Sequence, residues 1–183
     1  TKAGLYYYIK GKQDLLYQVE RRILEAAVTS AEAALVSRKA RDRLKSVVTD
    51  HIRRVLARLD PKWLRGTVIA VPVVNVHGFN TGDRYLPDRR DLNREFPGRS
   101  KGSVAAIVAH TLFTEIRRNC QYLIDLHTGS FSRSNHPQIR VTAKDETALE
   151  LARHFGLGIV ILSEGPNGSI RREAGDIGIP AII

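Results

Sequence analysis

The sequence of 183 residues contains one cysteine, no methionine and no apolar run long enough to cross a bilayer as a helix. The single Cys120 excludes an internal disulfide, and no stretch resembles the apolar core of a secretory leader. We therefore expect a cytoplasmic protein that does not contact a membrane. Because the chain begins at Thr1 and ends on the strand-like "GIPAII", we also expect a fragment cut at both ends.

Acidic residues are also scarce relative to basic ones, which leaves a formal net charge of +10. An excess of this size favours a polyanionic partner, although a solvated basic surface explains it equally well. Apolar residues make up 43% of the chain, which is enough for one sizeable core or two small ones. The composition therefore excludes a disordered chain but does not choose a partner.

Proline is absent before Pro61, and this first part reads as helical. Apolar residues recur there at steps of three and four, which is typical of amphipathic helices. One stripe begins at Leu16 and another runs from Leu44 to Leu59. We predict a helical segment over residues 1–58, whose long helices could pair two chains into a homodimer.

Beyond Pro61 the pattern changes to short runs with the composition of β-strands, namely "TVIAVPVVNV", "YLIDLH" and "IVIL". Helical patterns over residues 103–119 and 145–155 separate these runs. Strands that alternate with helices predict an α/β domain over residues 59–183, with a mostly parallel sheet covered on both faces.

The opening "TKAGLYYYIKGKQDLLYQV" predicts a short aromatic helix, a break at Gly11 and a second helix. It resembles the recognition helix and following helix of the tetracycline-repressor (TetR) family of helix-turn-helix regulators. The resemblance implies DNA contacts by the short helix and by the start of the next one, from Lys2, Tyr6, Tyr7 and Lys12. Because the supporting helices of that family do not precede Thr1, we do not expect specific DNA binding. Packing of the tyrosines against the next helix is the alternative.

The stretch "DRRDLNREFPG" lies in a predicted loop over residues 76–102, and loops of that length are usually functional. The planar guanidinium of Arg94 suits a carboxylate, and the amide of Asn93 adds a neighbouring donor. A ligand carboxylate is therefore one interpretation of this pair. For Arg89 and Arg90 we favour a surface ion-pair network with Asp88 and Asp91.

The run "YLIDLHTGS" places His127 at the carboxyl end of an apolar strand, where open α/β sheets bind their ligands. A histidine at this position is a candidate metal ligand, although a lone histidine is more often structural or exposed.

Taken together, "RYLPDRRDLNREFPG", "IDLHTG" and "RSNHPQIR" resemble the succinylglutamate desuccinylase/aspartoacylase family of zinc-dependent deacylases. The resemblance implies a carboxypeptidase-like α/β/α fold, here partial, and hydrolysis of the amide bond of a small N-acyl amino acid. It implies that His127 binds zinc, that Arg84 polarises the scissile carbonyl and that Asn93 and Arg94 hold the substrate carboxylate. Arg140 is expected to line the path of an acidic substrate.

The family's first metal motif, of the "HGDE" type, is missing, and its histidine and glutamate positions fall near Asp42 and Lys45. The general-base glutamate is expected beyond Ile183. We therefore predict half a substrate site with little or no hydrolase activity. A TetR-like DNA-binding regulator and a non-catalytic dimeric interaction protein are the two alternative functions.

Overall fold

A computed structural model describes residues 5–9, 65–127 and 135–183, with the backbone alone at residues 5–9. The chain divides into two compact units, one formed by Thr1–Lys10 with Val68–Ile183 and the other by Gly11–Thr67. Nearly all of the second unit lies outside the described residues. The predicted long helices, and the dimer contacts expected from them, therefore also fall outside the described residues.

The first unit contains short strands, four described helices and one 3-10 turn. In chain order they are β1 (Leu5–Ile9), β2 (Val68–Val71), α1 (Val76–Thr81), the 3-10 turn (Leu92–Arg94), α2 (Val104–Asn119), β3 (Leu123–Leu126), β4 (Ile139–Val141), α3 (Glu146–Phe155), β5 (Val160–Leu162), α4 (Ile170–Asp176) and β6 (Ala181–Ile182).

Four strands form a sheet in the order β2, β1, β3, β6. Strand β1 is antiparallel to both of its neighbours, and Tyr7 lies opposite Ala70 on one side and Ile124 on the other. Strands β3 and β6 are parallel, as are β4 and β5, which form a second small sheet. Arg140 and Ile183 exchange two backbone hydrogen bonds, of 2.7 and 3.2 Å, and so join the two sheets.

The strand at Leu5–Ile9 shows that the prediction of a short DNA-recognition helix there is wrong. Three adjacent tyrosines followed by isoleucine have a strong β propensity, and pairing on both edges satisfies the backbone of the segment. Tyr6 and Tyr7 are therefore sheet residues. Lys2 and Lys12, the other two proposed DNA contacts, lie outside the described residues. The resemblance to the TetR family depended on a recognition helix at this position, and the structure has a strand there instead.

The α/β character of the domain is confirmed, and the helices predicted over 103–119 and 145–155 are α2 and α3. The predicted strands appear as β2, β3 and β5, each trimmed at its ends. The parallel pairs agree with the predicted sheet, but β1 adds two antiparallel pairs that make it mixed. Local sequence patterns do not reveal such an insertion, because the partners lie about sixty and more than a hundred residues away along the chain.

Helix α2 is the largest described helix and carries much of the core. Ser103 caps it by accepting a hydrogen bond from the N–H of Ala106 at 3.2 Å, and Asp88 accepts another from Ala105 at 2.8 Å. Its buried face packs against residues of the loop over 76–102 and against residues in or next to β3, α4 and β6. This cluster consists of Leu86, Leu92, Phe96, Ala105, Ala109, Phe113, Ile116, Cys120, Leu123, Ile170, Ala174, Ile179 and Ala181. The core therefore fixes the loop against the sheet.

Among the described residues, no helix combines the length and the apolar character that a membrane span requires.

Candidate functional site

A cavity of about 660 Å³ opens at the carboxyl ends of β3 and β6. The 3-10 turn, the segment before β4 and the loop that leads into α4 supply further parts of its described wall. The cavity brings together all five residues proposed from the sequence for the deacylase site, which are Arg84, Asn93, Arg94, His127 and Arg140. Binding sites in open α/β sheets occupy this same position.

Strand β3 delivers a paired aspartate and histidine to the cavity. Asp125 is fully buried, and its Oδ2 lies 2.7 Å from Nε2 of His127, whose side chain retains 27% exposure. Burial raises the pKa of Asp125. Burial by itself lowers the pKa of His127, but the Asp125 carboxylate outweighs it and holds that pKa above its ordinary value. The close contact turns the Nε2 edge of the imidazole towards the carboxylate and leaves Nδ1 as the ring nitrogen that does not face Asp125.

Arg84 is oriented by Asp91 rather than left mobile. Its Nε donates to Oδ2 of Asp91 at 2.6 Å, and its Nη2 contacts the same oxygen. Both side chains are less than one-fifth exposed, at 18% and 17%. The other carboxylate oxygen of Asp91 accepts from the N–H of Asn93 at 3.1 Å, so one aspartate positions two site residues.

The expected surface network among Asp88, Arg89, Arg90 and Asp91 is replaced by other partners. Asp88 caps α2, Asp91 holds Arg84, and Arg90 pairs with Glu95 at 2.9 Å. Arg89 has a positive φ of 59° at the turn of this loop. The charged side chains of this stretch therefore divide among a helix cap at Asp88, the cavity at Asp91 and a surface ion pair at Arg90.

Asn93 and Arg94 sit in the 3-10 turn against the loop that precedes α4. Oδ1 of Asn93 accepts a hydrogen bond from the N–H of Ile170 at 2.9 Å. Arg94 is exposed, and its Nη1 donates to the carbonyl oxygen of Asn93 at 2.5 Å. Gly168, with a φ of +72°, lies so close that a Cβ there would collide with the carbonyl oxygen of Arg94. The turn and the loop thus hold each other in place.

Arg171 is a cavity residue that the sequence analysis missed. It is only 4% exposed, and its Nη1 donates to the carbonyl oxygen of Ser163 at 2.8 Å and to Oγ1 of Thr142 at 3.2 Å. Burial lowers the pKa of Arg171, and repulsion from Arg140 lowers it further. The sequence contained a signal for this burial, because residues three apart in a helix share a face. Arg171 therefore lies on the same face as Ala174, which is buried.

The described residues do not complete a metal site on their own. No group of three or more histidine, cysteine, aspartate or glutamate side chains converges in the part of the chain that the structure describes. His127 with its carboxylate partner has the arrangement of a metal-bound imidazole, but zinc sites need three or four protein ligands. One oriented imidazole is too few.

Comparison with known proteins identifies the family of this chain. Residues 49–183 match the family model of the succinylglutamate desuccinylase/aspartoacylase catalytic domain. Over 117 residues the chain is 30% identical to an N-alpha-acetyl-L-2,4-diaminobutyric acid deacetylase from Halomonas elongata, covering 61% of this chain and 34% of that protein.

Two solved structures share the fold. A succinylglutamate desuccinylase/aspartoacylase from Rhodobacter sphaeroides superimposes with a TM-score of 0.63 at 24% identity, covering 72% of this chain and 40% of that one. An aspartoacylase family protein from Mesorhizobium loti gives a TM-score of 0.62 at 26% identity, covering 71% and 44%. The chain thus spans less than half the length of the relatives it matches. With the family model covering most of its residues, the chain belongs to the succinylglutamate desuccinylase/aspartoacylase family.

Proposed function

We propose that this chain carries the substrate-binding part of an amide deacylase that acts on N-acyl amino acids. The observation that carries the proposal is the shared cavity, whose described lining includes four arginines and one aspartate, namely Arg84, Arg94, Arg140, Arg171 and Asp125. Such an excess of guanidinium groups favours a ligand that carries a carboxylate.

The four arginines have different freedom to bind that ligand. Arg94 is exposed and makes its one described hydrogen bond to a neighbouring backbone carbonyl, so its remaining N–H groups suit a ligand carboxylate. Arg84 is half-buried and fixed by Asp91, so it suits the scissile carbonyl, where negative charge develops during acyl transfer. Arg140 is an exposed residue of the cavity lining, so its charge would attract an anionic ligand without fixing how that ligand is oriented.

Zinc, which the family resemblance implies, would supply a Lewis acid and an activated water. The described residues bring no three potential ligands together around His127, and this set does not fit a tightly held ion. We therefore propose that the described residues bind an N-acyl amino acid but hydrolyse it weakly or not at all. The alternative of a non-catalytic dimeric protein depends on residues outside those described, and no observation favours it.

Isothermal titration with N-acetyl-L-2,4-diaminobutyrate, the compound named for the Halomonas relative, tests the proposal. We expect binding that Arg94→Ala weakens about tenfold or more, because a charge-assisted contact contributes about 1.5–3 kcal/mol. The matched control is Arg118→Ala, which removes an exposed arginine from the end of α2, away from the cavity, and should leave the affinity unchanged. Equal losses in both variants would show attraction by net charge rather than a site.

A further inference from the structure

Arg84, the residue proposed to meet the scissile carbonyl, is held at its backbone as well as at its guanidinium. Nδ2 of Asn75 donates a hydrogen bond to the carbonyl oxygen of Arg84 at 2.9 Å, nine residues further along the chain. No other described residue donates to this carbonyl. Asp91 therefore fixes the end of the arginine side chain, and Asn75 fixes the backbone from which that side chain extends.

The amide of Asn75 makes two hydrogen bonds at once. Its Oδ1 accepts from the N–H of Gly78 at 2.8 Å and so caps α1, while its Nδ2 donates to Arg84. Asn75 is only 8% exposed, and it follows Val74, which packs against the core. Because both the oxygen and the nitrogen of this buried amide are bonded, the side chain has one defined orientation. Asn75 thus links the start of α1 to Arg84 in a fixed geometry.

Gly78 makes room for this amide. A Cβ at Gly78 would collide with the carbonyl oxygen of Asp83 and would lie 2.5 Å from Nδ2 of Asn75. The carbonyl oxygen of Gly78 also accepts the N–H of Gly82 at 2.8 Å and the N–H of Asp83 at 3.1 Å. The segment from Asn75 to Arg84 therefore closes on itself through hydrogen bonds, and these leave the Arg84 backbone little freedom.

We propose that Asn75 is a positioning residue of the ligand site, whose amide sets the direction in which Arg84 extends into the cavity. The inference rests on the proposed function, because Arg84 affects binding only if it meets the ligand. Without the Asn75 donor, the Arg84 carbonyl would lose its partner and its peptide unit would be free to turn. A small backbone rotation moves the end of a long side chain, and a displacement of about 1 Å is enough to weaken a positioned contact.

The first test is Asn75→Ser, which keeps a capping oxygen for α1 but removes the amide that reaches Arg84. We expect binding of N-acetyl-L-2,4-diaminobutyrate, followed by titration calorimetry, to weaken roughly 2- to 10-fold, the effect of one neutral hydrogen bond. The matched control is Asn119→Ser, whose amide donates to the exposed Glu115 outside the described cavity lining and should not affect affinity. An Asn75→Ser protein that binds as tightly as the wild type would overturn the inference.

A double-mutant cycle separates positioning of one arginine from a general loosening of the fold. In an Arg84→Ala background, Asn75→Ser should weaken binding no further, since Asn75 acts through Arg84. In an Arg94→Ala background the two losses should multiply, because Arg94 is held by other contacts. A further loss in the Arg84→Ala background would mean that Asn75 supports the cavity as a whole, which contradicts the positioning role.

The NMR signal of the Arg84 Nε–H group gives a readout that needs neither a ligand nor a second variant. This group donates to Oδ2 of Asp91 at 2.6 Å, so its chemical shift reports the position of the guanidinium. We expect Asn75→Ser to move the Arg84 signal and to leave the corresponding signal of Arg94 in place. An Arg84 signal that does not move would contradict the proposal.

The two proposals fail in different ways. If the wild-type chain does not bind the probe, the proposed function and this inference both fail. If binding depends on Arg84 and Arg94 but is the same in Asn75→Ser, the proposed function stands and only this inference falls.

Discussion

Asp91 is the residue on which the geometry of the arginine site depends. One of its oxygens holds the Arg84 guanidinium, and the other accepts the backbone N–H of Asn93. Breaking a half-buried pair leaves the remaining charge without compensation, which is a larger effect than losing an exposed pair. Asp91 therefore stabilises both the loop and the orientation of the group proposed to meet the scissile carbonyl.

We predict that Asp91→Ala weakens binding of N-acetyl-L-2,4-diaminobutyrate and lowers the free energy of unfolding by about 1–3 kcal/mol. Titration calorimetry and urea denaturation measure the two effects. The control is Arg90→Ala, which removes the exposed partner of Glu95 and should change neither quantity appreciably. An Asp91→Ala protein that keeps wild-type affinity would contradict the orienting role of this aspartate.

His127 is the described residue proposed as a zinc ligand. Since a single imidazole cannot hold zinc tightly, we predict substoichiometric zinc after dialysis of the wild-type protein and still less in His127→Ala. Atomic absorption on both proteins gives the comparison, with His77→Ala, an exposed histidine outside the described cavity lining, as the control. Full occupancy that survives the loss of His127 would contradict its assignment as a ligand.

At the scale of elements, the start of α2 is held by a carboxylate from the functional loop. Asp88 accepts the N–H of Ala105 at 2.8 Å. Burial by itself raises the pKa of Asp88, but the hydrogen bonds from the Ala105 and Arg90 backbones outweigh it and leave this pKa below its ordinary value of 3.8. The ionised form is therefore the one that stabilises the fold.

From the sign of this shift, the contribution of Asp88 is complete above pH 4 and is lost as the pH falls through the lower folded pKa. We predict that Asp88→Ala costs about 0.5–2 kcal/mol at pH 7 and less at pH 3. Asp88→Asn keeps an acceptor oxygen and should retain more stability at pH 7 with a weaker acid dependence. Urea denaturation at both pH values measures this, and a difference that does not depend on pH would contradict the assignment.

The loop before α4 offers a matched pair of glycines. At Gly168, where φ is +72°, a side chain would collide with the Arg94 carbonyl, whereas a Cβ at Gly175 in α4 meets nothing within 4 Å. We predict that Gly168→Ala lowers the free energy of unfolding by more than about 1 kcal/mol, whereas Gly175→Ala raises it by about 0.5–1 kcal/mol. Thermal denaturation distinguishes them. A Gly168→Ala protein as stable as the wild type would contradict the tight packing of the turn against the loop.

Over the whole molecule, the sequence predicted elements whose signals are local. Short apolar runs predicted β2, β3 and β5, and apolar spacing predicted α2 and α3, within a few residues at each end. The tyrosines of β1 were misread as helical, because that strand is defined by partners far away along the chain. Strand propensity depends on such partners more than helix propensity does.

The site was predictable where its residues lie in continuous motifs. Arg84, Asn93, Arg94 and His127 occur in two recognisable stretches, and the structure places all four at one cavity. Arg171 was missed because its place in the cavity wall comes from burial, which no local motif reveals.

The central claim is that the arginine residues and the strand-end histidine serve one ligand. The most direct measurement follows the side-chain NMR signals of Arg84, Arg94 and His127 while N-acetyl-L-2,4-diaminobutyrate is added, with Arg118 as the reference. Binding at one cavity predicts that the first three signals shift together and fit a single Kd, while Arg118 does not move. Shifts confined to one of them, or unrelated Kd values, would contradict the claim.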